Sequence, residues 1–194
     1  QLAVVSTISG GTITGMKYAL SLAERQPFPV FYKALYSFLK EDILLGKALE
    51  TLNNSVPWKG LPRQRNLINA FALIYHEYLL DKKSFGLLLD QTQGGFAEFV
   101  FNSTDIEHQL AFRFQKTRDG LIGNGEVNTE AASVREVRLA DIVAASSCFP
   151  GGFEPLHFHS DFIESEQSTL AQAWAERPAI RLMDGGIVDN QGIE

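Results

Sequence analysis

The chain has 194 residues, 45% of them hydrophobic, which suits one domain with a sizeable core and is too short for two. Its 23 acidic and 17 basic residues leave a net charge of -6 and no basic stripe to neutralise phosphates, which argues against a nucleic-acid partner. Cys148 is the single cysteine, so an internal disulfide is excluded, and no apolar run is long enough to span a bilayer. Without a signal peptide, the sequence favours the cytoplasm over secretion.

The apolar run at 2–5 predicts a buried strand, and the apolar spacing at 16–24 predicts a helix. Between them, Gly10 and Gly11 permit a tight turn with Ser9 at its apex. Strand, sharp turn and helix form the context of a nucleophile elbow, with the helix start offering N–H groups to developing negative charge. Written against G-x-S-x-G, the segment is Thr7-Ile8-Ser9-Gly10-Gly11, with threonine in place of the first glycine. Glycine-rich turns of this kind also serve nucleotide and phosphate sites, and this segment by itself leaves those readings open.

The first helix should end near Pro27. Apolar residues over 31–39 and 43–52 predict two helices or one kinked one, followed by a turn-rich connection holding Pro57, Gly60 and Pro62. Leu67, Ala70, Phe71, Ile74, Tyr75, Tyr78 and Leu79 fall on one helical stripe, with His76 and Glu77 on the solvated side. Gly94-Gly95 opens a β-rich stretch, with strands at 96–101 and 108–115 and turn chemistry at 116–120 and 123–125. A helix over 139–147 is stopped by Pro150-Gly151-Gly152. A polar excursion at 157–179 contains a helix at 169–174. His157 and His159 within it would share a strand face, but two ligands do not make a metal site. Strands alternating with helices point to an α/β sandwich with a mixed sheet.

The last strand, 180–183, runs into Asp184-Gly185-Gly186-Ile187-Val188-Asp189-Asn190. An aspartate at the carboxyl end of a strand stands at the rim where α/β sheets bind ligands, and the glycines let another backbone or a substrate approach. Alone, the segment is an ordinary turn.

Four segments, in this order and spacing, resemble the patatin-like phospholipases, lipid acyl hydrolases that use a Ser–Asp dyad. They are the elbow at 7–11; Phe101-Asn102-Ser103-Thr104-Asp105; the stretch 144–155, which is similar to Ala-Ser-x-x-x-Pro-x-x-Phe-x-Pro; and the Asp184-Gly185-Gly186 segment. The resemblance implies a bacterial-type lipid acyl hydrolase with a three-layer α/β sandwich, its mixed and mostly parallel central sheet flanked by helices. It implies Ser9 as nucleophile, Asp184 as base, Gly10 as a backbone oxyanion donor, and Gly11, Gly185 and Gly186 as motif support. A carboxylate can take a serine proton if partial desolvation raises its affinity for one. The substrate is then an acyl lipid, with peripheral membrane contact as an accompanying expectation. No metal or cofactor is implied. Family members carry a Gly-rich loop, G-G-G-x-[RK]-G, upstream of the elbow. Residues 1–194 are therefore expected to be a single catalytic domain cut at both ends, and to be weak alone. A Ser-His-Asp arrangement would need its histidine after the acid, and none follows Asp184. An earlier aspartate with His157 or His159 stays formally open.

Two other classes compete with the hydrolase. One is a binding or scaffold domain that keeps the fold without catalysis. The other, a nucleotide-binding domain, is disfavoured because no lysine follows the glycines at P-loop spacing and no G-x-G-x-x-G is present. Phe149, Phe153 and the helices between Phe31 and Leu49 are candidates for an apolar access route, set against an ordinary place in the core.

Overall fold

In the computed structural model, which describes residues 4–40, 44–91, 98–116 and 121–192, the apolar start of the chain forms strand β1 (Val4–Ile8). Helix α1 (Gly10–Ala23) follows at once, beginning six residues before the apolar pattern that predicted it. The next stretch divides into α2 (Phe28–Lys40) and α3 (Leu44–Asn53). Asn66 caps α4 (Leu67–Tyr78), its side-chain oxygen accepting the Asn69 N–H at 3.0 Å. The short α5 (Gly86–Leu89) closes the helical half. The predicted Gly94-Gly95 opening lies outside the described residues.

The second half is mostly sheet. Strands β2 (Glu98–Asp105) and β3 (Leu110–Lys116) form a hairpin, extended by β4 (Leu121–Gly123) and β5 (Asn128–Glu130). The buried helix α6 (Leu139–Ser146) leads to β6 (Leu156–Phe158), then α7 (Thr169–Trp174) and β7 (Ile180–Asp184). The sheet runs β5-β4-β3-β2-β7-β6, with β1 also on β2.

This sheet corrects the expectation of a mostly parallel one. Among the described pairings only β1 with β2 is parallel, and the other five are antiparallel. Parallel pairing needs a long crossover, and the helical half of the chain supplies one, between β1 and β2. Beyond β2 the strands follow one another through short connections or pair as antiparallel neighbours. Nor is the sheet the middle of three layers. Buried Phe112 and Phe114 alternate along β3 with partly exposed Ala111, Arg113 and Gln115, and Arg181 of β7 is exposed. The helices thus cover one face, as a half-buried antiparallel sheet allows.

The covered face is curled. β3 and β6 are separated by two strands, a span of roughly 14 Å in a flat sheet. Yet the Phe112 and Phe158 rings lie 5.2 Å apart, with Phe114 and Phe162 joining the cluster. Trp174 of α7 closes it edge-on to Phe158 at 4.8 Å, while its indole N–H donates to Thr129 at 2.8 Å. Four of the fourteen phenylalanines of the chain gather here. Phe158→Ala should cost about 3–5 kcal/mol in urea unfolding, since no neighbour can collapse into the space of a ring enclosed by four others.

Polar anchors tie the helical half to α6. Arg63 meets Asp141 of α6 through two hydrogen bonds of 3.0 and 3.2 Å, and Arg138 adds a third at 3.0 Å, all fully or nearly buried. Along α4 the predicted stripe is buried at Ala70, Ile74, Tyr75 and Leu79 and half-buried at Leu67 and Phe71, while Ile68, Asn69 and Ala72 are buried beside it. Tyr78 is exposed under the Lys47 ammonium, and His76 is half-buried rather than solvated.

At the β2–β3 turn, Asp105 accepts backbone N–H groups from Glu107 and His108 and lies 2.6 Å from His108 Nδ1. That hydrogen bond raises the His108 pKa above its ordinary value of 6.5. The pair therefore contributes fully below pH 6.5 and loses its contribution as pH rises through the raised value. The gap in melting temperature between the native protein and His108→Gln should be largest in mild acid and shrink with rising pH. A gap independent of pH would remove the ion pair from the account.

Candidate active site

The site is built where two strand ends meet. β3 occupies one flank of β2 from Phe99 to Asp105, so β1 and β7 must share the other. On that flank β1 runs parallel to β2 as far as Ile8 opposite Asn102, and β7 runs antiparallel as far as Asp184 opposite Ser103. Neither strand can continue without meeting the other, and both turn out of the sheet.

β1 leaves through Ser9, whose φ of 53° and ψ of -134° place a non-glycine residue in the positive-φ region. That geometry is strained for a serine and has to be held by its surroundings. β7 leaves through a 3-10 turn at Gly185–Ile187, where a side chain on Gly185 would come within 2.6 Å of the Asn102 carbonyl. The sequence thus places Ser9 at an elbow apex and Asp184 at a strand end, and the structure brings these two ends together.

The holding is done by buried hydroxyls and one amide. Ser9 N–H donates to Ser146 Oγ at 3.1 Å, and Ser146 donates to the Asn102 carbonyl at 2.6 Å. Thr12 Oγ1 lies 2.7 Å from Ser146 Oγ and 3.1 Å from Thr7 Oγ1. On β2, Asn102 donates to Ser6 Oγ and the Thr7 carbonyl, Ser103 lies 2.6 Å from the Met183 carbonyl, and Thr104 donates to the Asp184 carbonyl. Asn102-Ser103-Thr104 therefore fastens both strand ends. These residues carry part of the family resemblance, and their role in fastening the strand ends becomes visible in the fold. Three polar residues inside a strand, straight after Phe99 and Phe101, were the available signal.

Asp184 is 4% exposed. Its Oδ1 accepts the Gly186 N–H at 2.8 Å, whereas its Oδ2 is buried with no hydrogen-bond partner among the described residues. The Asp184 N–H donates to the Cys148 carbonyl, which ties the acid to the 148–153 loop. Gly10 and Gly11 open α1, so their N–H groups have no intrahelical acceptor, and a Cβ on either would meet nothing within 4 Å. Two N–H groups without an intrahelical acceptor thus stand at a positive helix end. Phe153 packs edge-on to Phe71 at 5.3 Å, whereas Phe149 is exposed. Tyr75, hydrogen-bonded to Ser147 and pushed up to about 12 by burial, stays neutral.

His157 lies 2.8 Å from the Gln64 amide through Nδ1, and the His159 ring packs 6.0 Å from Trp174. Neither contacts Ser9 among the described residues, and no group of three metal-ligating side chains gathers there.

Comparison with known families decides what this arrangement belongs to: the family model "Patatin-like phospholipase" matches residues 1–194. The chain is a member of the patatin-like phospholipase family. No curated protein and no solved structure matches it. Membership makes the chain one of a family of lipid acyl hydrolases. No helix among the described residues is long and apolar enough to cross a membrane.

This patatin-like elbow handles its departure from G-x-S-x-G by moving space across the strand–helix contact. A Cβ on Gly15 would lie 2.4 Å from the Thr7 methyl, so the helix supplies the glycine that the strand lacks. Gly15→Ala should destabilise the fold by about 1–3 kcal/mol. Adding Thr7→Gly should recover part of that loss, a coupling readable by urea unfolding of the two single variants and the double. Strict additivity would mean that the two positions do not share the space.

Proposed function

We propose that the chain hydrolyses carboxylic ester bonds of acyl lipids, with Ser9 as nucleophile and Asp184 as the single acid–base group. The observation that carries this reading is the buried Asp184 Oδ2, without a hydrogen-bond partner among the described residues, at a strand end that meets a strained serine elbow. A buried polar atom without a partner is costly, and a proton-accepting role accounts for it.

In the first step Ser9 Oγ attacks the ester carbonyl carbon while its proton passes to Asp184 Oδ2. The carbonyl oxygen gains the negative charge, and Gly10 N–H, at the start of α1, is the backbone donor that this reading assigns to it. Collapse breaks the carbon–oxygen bond of the ester, and the proton held by Asp184 goes to the departing alkoxide. Water then attacks the acyl–Ser9 carbonyl, giving its proton to Asp184. The bond to Oγ breaks, the proton returns to Ser9, and the free fatty acid leaves. Electrons and protons balance without any further reagent. Ser146 contributes by holding the Ser9 backbone: its hydroxyl takes the Ser9 N–H and fixes the elbow on α6.

A fluorophosphonate probe should label the protein at Ser9 and fail to label Ser9→Ala. Ester turnover should fall by at least about 10³-fold in both Ser9→Ala and Asp184→Asn, with the fold retained. Labelling that survives Ser9→Ala would assign the nucleophile elsewhere. Full turnover in Asp184→Asn would remove the dyad, and a folded protein that never labels would fit a lipid-binding domain that has lost catalysis.

A further inference from the structure

The acidic chain offers no general attraction to anionic membranes, so contact with a lipid surface needs a local patch. Helix α2 carries one. Its core stripe is short: Phe31 and Leu35 are buried and Phe38 is partly so. The rest of an ordinary surface helix would be charged. Here Phe28, Tyr32, Tyr36 and Leu39 are 63, 58, 52 and 51% exposed.

The three rings form a ridge at i, i+4 and i+8, roughly 12 Å long. Phe28 stacks on Tyr32 at 6.4 Å and Tyr32 on Tyr36 at 6.1 Å, and the Lys40 ammonium sits over Tyr36. Lys33 flanks the ridge on the solvent side of the helix. In a chain with an excess of acids, the thirteen residues of α2 include two lysines and no acidic residue. An exposed apolar ridge marks an interaction surface, and aromatics flanked by lysines on a helix lying flat suit the boundary between headgroups and acyl chains.

The ridge is also rigidly connected to the elbow. Phe31 packs against Tyr18 of α1, the helix that starts beside Ser9. Phe38 leads through Tyr75 and Phe71 to Phe153 in the loop next to Asp184.

We propose that the α2 ridge docks the protein on an anionic lipid surface, with Phe28, Tyr32, Tyr36 and Leu39 entering the interface and Lys33 and Lys40 meeting the headgroups. This rests on the reading of the chain as a lipid hydrolase, since it places that enzyme where its substrate lies. A second copy of the chain or another protein on the same ridge are the competing occupants. The lysines and the missing acids favour the anionic lipid.

The test is sedimentation of the protein with vesicles of ether-linked phosphatidylglycerol and phosphatidylcholine, which contain no ester to cleave. The wild type should bind, and should bind pure phosphatidylcholine much more weakly. Tyr32→Ser with Tyr36→Ser should weaken binding at least about tenfold, and Lys33→Glu with Lys40→Glu should abolish the preference for phosphatidylglycerol. Both double variants should hydrolyse a water-soluble short-chain ester at the wild-type rate, which reports an intact fold. Ser9→Ala should bind like the wild type, so binding succeeds or fails independently of turnover. Equal binding by the tyrosine variant overturns the proposal. So does a wild type that ignores both vesicles, or a wild-type dimer that dissociates in the tyrosine variant without any vesicle binding.

Discussion

Everything distinctive about this fold follows from two strands that claim the same flank of a third. β1 and β7 approach each other end to end beside Asn102 and Ser103, and the sheet has room for only one to proceed. Each is forced out of the sheet within one residue, which places a serine and an aspartate at one junction. The strain at Ser9 is the local expression of that collision, and the glycine at 185 is its counterpart on the other strand. A candidate site made this way needs no long loops, because its geometry is set by backbone pairing on β2.

The collision has to be stabilised, and the stabilising groups are polar and buried. Asn102, Ser103 and Thr104 bind the two ends side by side, while Ser146 binds the elbow from below. Ser146 can do so because α6 is itself fixed. Asp141 near its start is held by Arg63 and Arg138 in a dry ion cluster, where loss of one partner leaves an uncompensated charge. A mutation at Arg63, remote in sequence from Ser9, is connected to the elbow through one helix and one hydroxyl. Such a buried polar network contributes uniqueness of geometry more than net stability, and it leaves Arg63 Nε buried without a hydrogen-bond partner among the described residues.

The two turns that meet at the candidate site were legible in the sequence because turn chemistry is local. The glycines after Ser9 and Asp184, and the strands before them, are readable from short windows, and the family resemblance supplied their pairing. What was not legible is instructive. The start of α1 was hidden by Gly10 and Gly11, poor helix formers that the elbow nevertheless commits to the first turn. Strands β4, β5 and β6 have three residues each, too few for alternation to show. The mostly parallel strand direction was an implication of the family resemblance, and it fails because only one helical stretch, between β1 and β2, bridges a parallel pair. The curl of the sheet depends on ring contacts between strands that are not neighbours, which no window contains. Tyr78 sits on the right helical stripe and still faces outward, because Lys47 offers it a cation on the surface.

The single cysteine has a consequence for how this site responds to oxidants. Cys148 is buried, its thiol donates to the Glu154 carbonyl, and burial pushes its pKa up to about 12. The thiolate is the form that peroxides and electrophiles attack, and it is scarce at any physiological pH. The residue nonetheless sits in the segment whose backbone holds Asp184, where a sulfenic acid or an adduct would displace the acid. A reactive thiol in that place would make hydrolysis a redox-controlled activity. Buried and protonated, it leaves the acid's position insensitive to the redox state of the surroundings.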